Sequence, residues 1–202
     1  MAGTPTAKNY DVTKMHQGPG DLWVIGSPPA DSTAPMLTLT NGTPDSTAHP
    51  SSVHLGATNG AITSIVKPKF DNITVDQFDA PVAHFLQSIE MSIEADLEQI
   101  DPAIMQQALP FGVYTTQASP GYKMLTFGGQ PIGTPIAIAC IAALRGSAGL
   151  YVVSLMFAAH GTIGLNTAVG RAKASTYKAQ FDGLADTTRT AGRQVGVFYV
   201  TQ

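Results

Sequence analysis

Between Phe85 and Gln99 apolar and polar residues alternate almost without a break. Phe85, Ile89, Met91, Ile93, Ala95 and Leu97 hold odd positions, and Ser88, Glu90, Ser92, Glu94, Asp96 and Glu98 hold even ones. A period of two predicts a strand with one dry face and one strongly negative face. Leu86, Ile89, Ile93, Leu97 and Ile100 also fit helical spacing, and Glu, Met, Ala and Leu favour helices, so this stretch admits both readings. Directly after it, Asp101-Pro102-Ala103 predicts a short helix over 102–109, with Asp101 as N-cap and Pro102 at the first helical position.

Elsewhere the pattern is that of short strands. Expected strands cover 21–26, 61–66, 73–77, 122–127, 135–144, 150–158, 176–181 and 194–200, with Lys67-Pro68-Lys69 separating the second from the third. The runs 136–144 and 150–158 are continuously apolar and predict a hairpin buried on both faces or at a subunit contact. Asn41-Gly42 and Asn59-Gly60 are turn signals. Residues 1–20 read as an extended arm, 162–174 as a glycine-rich mobile stretch, and 27–52 as a long Ser/Thr/Pro-rich loop holding a short strand at 36–40. The sum is a mainly β fold: a sandwich or barrel of two packed sheets with one flanking helix. One domain, 21–202, follows the arm and carries the projecting loop.

Composition narrows the function. Only 12% of the 202 residues are charged, about half the usual share, which suits a subunit that buries much of itself against neighbours. A net charge of −3 argues against general nucleic-acid binding, which needs a basic footprint. The single cysteine, Cys140, excludes an intramolecular disulfide and a cysteine-built metal site, and inside IAIACIAAL it reads as a small buried hydrophobe. No signal-peptide core opens the chain, and the apolar runs fall short of the roughly 20 residues a bilayer span takes. The expectation is a soluble protein with no membrane contact.

Catalytic chemistry finds little footing. Phosphate-cradling and dinucleotide glycine motifs are absent, and Gly146-Ser147-Ala148-Gly149 has the wrong spacing for a nucleophile elbow. His49 and His54 lie five apart in a loop, which is not the spacing of a helical metal pair, and His84 and His160 sit on apolar elements as ordinary packed histidines. Cys140 with His160 reads as part of a core hairpin rather than a nucleophilic pair. The acids at 90, 94, 96 and 98 look solvated, whereas a catalytic carboxylate pair needs one member buried. The expectation is a non-enzyme with no catalytic residue, cofactor or metal.

The succession GDLWVIG, LGATNGAIT, ITVDQFDAPV and IEMSIEADLEQIDPAIMQQAL resembles the tail tube (major tail) proteins of long-tailed bacteriophages. Val75-Asp76-Gln77 and Pro81-Val82 stand where that family's pattern puts them, and the closing TYKAQFDGLADTTRTAGRQVGVFYV resembles its final strands. The likeness covers most of 20–200 and is one of order and texture. It implies a strand at 85–99. It also implies hexameric rings of identical subunits, stacked into a tube that conducts DNA during ejection. Implied partners are further copies of the chain and the tape measure, terminator and tail-tip proteins, in a virion assembled in the host cytoplasm. DNA would pass through the lumen without specific binding, repelled by an acidic lining.

Two site expectations follow. Glu90, Glu94, Asp96 and Glu98 line the channel while Ile89, Met91, Ile93 and Leu97 face the core. Met36, Leu37 and Leu39, with Asn41 and Gly42 at a hairpin tip, join one ring to the next, together with the N-terminal arm. Competing readings are a virion-surface or tail-tip module binding carbohydrate or a receptor, and a secretion-system tube subunit of related fold. The first calls for exposed Trp/Tyr platforms, and the chain has one tryptophan.

Overall fold

In a computed structural model, the structure describes residues 16–73, 83–98, 101–109, 111–119, 121–128, 133–144, 149–162 and 176–201. Expectations placed on 1–15, 74–82, 145–148 and 163–175 lie outside the described residues. These include most of the arm, Val75-Asp76-Gln77 and Pro81-Val82.

The fold is mainly β with one helix, as the strand pattern predicts. The main sheet is antiparallel and contains β1 (His16–Ile25), β4 (Val53–His54), β5 (Thr63–Ile73), β6 (Ala83–Leu97), β9 (Ile136–Leu144), β10 (Tyr151–Gly161), β11 (Tyr177–Gly183) and β12 (Gly196–Val200). Its order is β4-β1-β9-β10-β11-β6-β5. β10 branches it: residues 152–156 pair with β12, and residues 159–161 pair with β11. Two small hairpins stand apart, β2 (Leu39–Thr40) with β3 (Thr43–Pro44) and β7 (Gly112–Gln117) with β8 (Tyr122–Phe127).

Continuous apolarity in β9 and β10 has its expected consequence. Ile138, Met156 and Ala159 face one cluster, in which Leu22, Ile93, Leu97, Tyr177 and Phe181 pack across from them. Ala137, Ala139, Ile141, Val153, Leu155 and Phe157 face a second cluster on the other side. The sheet therefore curls over the first cluster like a sandwich. Helix α1 (Pro102–Ala108) closes that cluster with Met105 and Ala108. Its start is as the sequence predicts: the Asp101 carboxylate accepts the Ala103 N–H at 2.9 Å.

The second cluster is covered by the segment 27–52. Leu37 is buried there, and its N–H donates to the Tyr199 hydroxyl at 2.8 Å. Asn41 and Gly42 both take positive φ, 52° and 83°, which closes β2 onto β3 as the Asn-Gly signal requires. The strand expected at 36–40 shrinks to two residues.

Three expectations need correction. The predicted arm reaches residue 20, but β1 begins at His16. Lys67-Pro68-Lys69 does not break the chain: β5 runs through it as the sheet's edge strand among the described residues, the position in a sheet where a proline is tolerated. Ile89 is 46% exposed and does not face the core, because β6 has by then passed the end of β11.

Candidate functional site

β6 is fifteen residues long, and only its C-terminal half is covered on one face. Met91, Ile93, Ala95 and Leu97 are buried in the first cluster. Alternation puts Glu90, Ser92, Glu94 and Asp96 on the opposite, outward face, and Glu98 follows just past the strand end. Glu90 and Asp96 are exposed, and Glu94 and Glu98 are half-buried. The structure thus gathers the four predicted carboxylates along one edge-to-edge row. The Glu98 N–H donates to the Ala57 carbonyl at 2.8 Å, which holds the end of the row against the loop after β4.

Neighbouring strands modify this face in a way the single-strand pattern does not reveal. Across β5, Lys67 lies opposite Glu90. Across β11, Lys178 lies opposite Asp96 and pairs with Glu94 at 3.1 Å, while Asp182 adds a further carboxylate opposite Ser92. A groove of about 330 Å³ is lined by Lys67, Glu90, Ser92, Glu94, Gln180 and Asp182. The face is acidic, with lysines spaced through it. Pairing across strands is invisible to a pattern read along one strand, which is why these lysines escape it.

Beyond Ser92 no further strand among the described residues pairs with β6 on its other side, and the ladder of β5 and β6 continues from Lys67↔Glu90 to Ile73↔Ala83. This two-stranded arm extends roughly 20 Å past the sheet. It carries both exposed apolar side chains, Phe70, Ile73, Phe85, Leu86 and Ile89, and exposed polar ones, Lys67, Lys69, Asn72, His84 and Ser88.

The segment 27–52 is tied to its own chain. Arg189, a buried cation that no sequence pattern marks, stacks 3.6 Å over the Phe157 ring. Its Nε donates to Asp186 at 3.0 Å and its Nη2 to the Pro29 carbonyl at 2.6 Å. Thr190 donates to Asp31 through both N–H and hydroxyl, at 2.8 and 2.6 Å, and these bonds hold the Asp31 carboxyl below its usual range. Of the predicted stacking residues, Leu37 and Gly42 are buried within the chain, Leu39 is half-buried against it, and Met36 and Asn41 are exposed.

The histidines divide differently from the expectation. His49 is buried as a loop organiser: Nε2 accepts the Thr38 N–H at 2.9 Å, which leaves Nδ1 to donate to the Ser27 carbonyl at 2.7 Å. His84 is not packed in a core; it stands exposed on the arm, bonded to Asn72 across the ladder. Cys140 faces Ser154, six residues along β10 from His160 and hence roughly 20 Å away, so the two form no pair. Burial pushes the Cys140 thiol up to about 11, away from reactivity. Among the described residues, no group of three or more His, Cys, Asp or Glu is arranged to hold a metal ion, and no helix is long and apolar enough to cross a membrane. No family model matches the chain, and no curated protein matches it.

Proposed function

We infer that the chain is a structural subunit of a phage tail tube, a ring-forming protein whose outward β6 face lines a DNA-conducting channel. The observation that carries this reading is the row Glu90, Glu94 and Asp96 on the outward face of β6, with Glu98 just past its end, on a strand whose C-terminal half seals the core with its other face. A row of this kind, repeated around a ring, presents DNA with a band of like charge. Phosphates are repelled and the duplex slides rather than sticks. The spaced lysines at 67 and 178 moderate the band without reversing its sign.

Two further features support a subunit over a free-standing monomer. Among the described residues β5 and β12 each keep one edge unpaired, and open edges are templates for pairing with another chain. The surface is also poor in charge. The alternative of a carbohydrate-binding module draws no support from Trp23, which is packed against His54 and the second cluster.

The reading is tested by negative-stain electron microscopy of the purified protein, where closed rings and stacked tubes are expected. Glu90→Lys with Glu94→Lys changes exposed or half-exposed positions, so tubes still form while DNA ejection from reconstituted particles slows. Unchanged ejection with basic residues at both positions would remove the channel assignment.

A further inference from the structure

The chain contains two Asn-Gly pairs, Asn41-Gly42 and Asn59-Gly60, and the fold holds them in opposite ways. Both asparagines are exposed, so exposure does not separate them. Asn41-Gly42 is locked. Both residues take positive φ in the turn that closes β2 onto β3, with Thr40↔Thr43 and Leu39↔Pro44 paired behind them. The Thr43 hydroxyl donates to the Thr40 carbonyl at 2.8 Å, and the Thr40 hydroxyl donates to Asp45 at 2.9 Å. Gly42 itself is buried against the Tyr151 ring.

Asn59-Gly60 is held on one side only. The Asn59 N–H donates to the Asp96 carbonyl at 2.7 Å, and Thr58 bridges to Leu97. Past that point, among the described residues, neither the Asn59 carbonyl nor the Gly60 N–H has a hydrogen-bond partner. A Cβ on Gly60 would meet nothing within 4 Å, and β5 begins only at Thr63. The bridge also fixes where the side chain lies. With Thr58 opposite Leu97, Asn59 stands opposite Asp96 and shares its outward face. It therefore borders the carboxylate row.

We propose that Asn59 is a site of spontaneous deamidation that adds a carboxylate to this row, while Asn41 is protected. Solvent hydroxide takes the Gly60 amide proton. The nitrogen attacks Asn59 Cγ and forms a C–N bond, and the side-chain nitrogen leaves as ammonia with a proton from water. Water then opens the cyclic imide. Cleavage of its Cγ–N bond leaves aspartate at 59, and cleavage of its backbone C–N bond leaves isoaspartate. Either product carries one new negative charge, and no oxidant or reductant takes part. Ring closure needs the Asn-Gly peptide to swing onto the asparagine side chain. At 59–60 no hydrogen bond among the described residues must break for that swing, whereas at 41–42 the β2–β3 turn must first open. The reaction belongs to the single subunit and does not rest on the tube reading. Its product has the sign of the row it joins, so the outward face of β6 grows more acidic as the protein ages.

The folded protein is incubated at mildly alkaline pH, and conversion at each site is followed by peptide mass spectrometry with isoaspartate scored separately. Asn59 is expected to convert at least about tenfold faster than Asn41, a ratio set by the cost of opening the turn. In denaturant the two identical dipeptides convert at similar rates. Equal rates in the folded protein, an Asn59 that stays intact, or a difference that persists in denaturant would overturn the proposal. Asn59→Asp reproduces the added charge and reads its placement. Like charges directly opposite repel across a strand pair, so its denaturant midpoint falls below the parent's at low salt and recovers as salt screens the pair. A midpoint equal to the parent's at low and high salt alike would place Asn59 away from Asp96 and overturn the addition to the row.

Discussion

Single carboxylates decide how the segment 27–52 is held. Asp31 is bonded to Thr190, and Asp45 accepts from the Ala48 and Thr47 N–H groups and the Thr40 hydroxyl. Both are held below the ordinary value of 3.8 by these bonds. Asp186, which fixes Thr188 and Arg189, is lowered as well. A carboxyl whose folded value is depressed contributes stability that is fully present above 3.8 and lost as pH falls through the folded value. The segment is therefore expected to loosen in acid, below about pH 4, before the main sheet does. Trp23, the only tryptophan, packs against the cluster this segment covers, so its fluorescence reports the event. A Trp23 change preceding the loss of far-ultraviolet β signal is the expected result, and Asp31→Asn with Asp45→Asn should bring the Trp23 change on already at neutral pH. Coincident transitions, the same in the variant and the parent, would mean that these bonds do not hold the segment.

At the level of elements, β12 depends on a residue with no side chain. A Cβ on Gly196 would meet the Leu155 carbonyl oxygen at 2.5 Å and the Met91 sulfur at 2.6 Å. Backbone cannot yield as a flexible side chain does, so Gly196→Val pushes β12 off β10 and costs about 1–3 kcal/mol. A lowered denaturant midpoint, with raised hydrogen exchange at 152–156, checks this; an unchanged midpoint would show that β12 contributes little to the fold. No sequence pattern singles out Gly196, because its neighbours come from β6 and β10. Elements set by local chemistry are a different matter. α1 was legible because Asp101 and Pro102 act on the next few residues, and β9 and β10 because burial on both faces demands apolar residues throughout. The carboxylate row was legible for the same reason, since alternation is a property of one strand. The limit of burial on β6 was not, because it is set by where β11 ends, and neither was the arm through Lys67-Pro68-Lys69, because a proline is tolerated only once a strand is known to be an edge.

For the whole molecule, the segment 27–52 raises the question of what holds rings together. Its sequence looks incapable of folding alone, and the structure resolves this within the chain: Leu37 fills the second cluster and Arg189 clamps Pro29. A deletion across this segment would therefore expose Ala139, Ile141 and Leu155 and damage the subunit before any stacking contact could be judged. Point changes separate the two roles. Leu37→Ala removes a buried side chain and is expected to cost about 2–5 kcal/mol in subunit stability. Met36 stands next to it, 51% exposed and facing away, and Met36→Ser should change subunit stability by no more than about 0.5 kcal/mol. If the outer side of this segment carries ring stacking, Met36→Ser gives rings of normal diameter that no longer form long tubes in electron micrographs. Tubes of normal length from Met36→Ser would assign the segment to the subunit's own second cluster alone. The stacking contact would then have to come from another surface, with the exposed β7–β8 hairpin, bearing Val113, Met124 and Phe127, as the next to mutate.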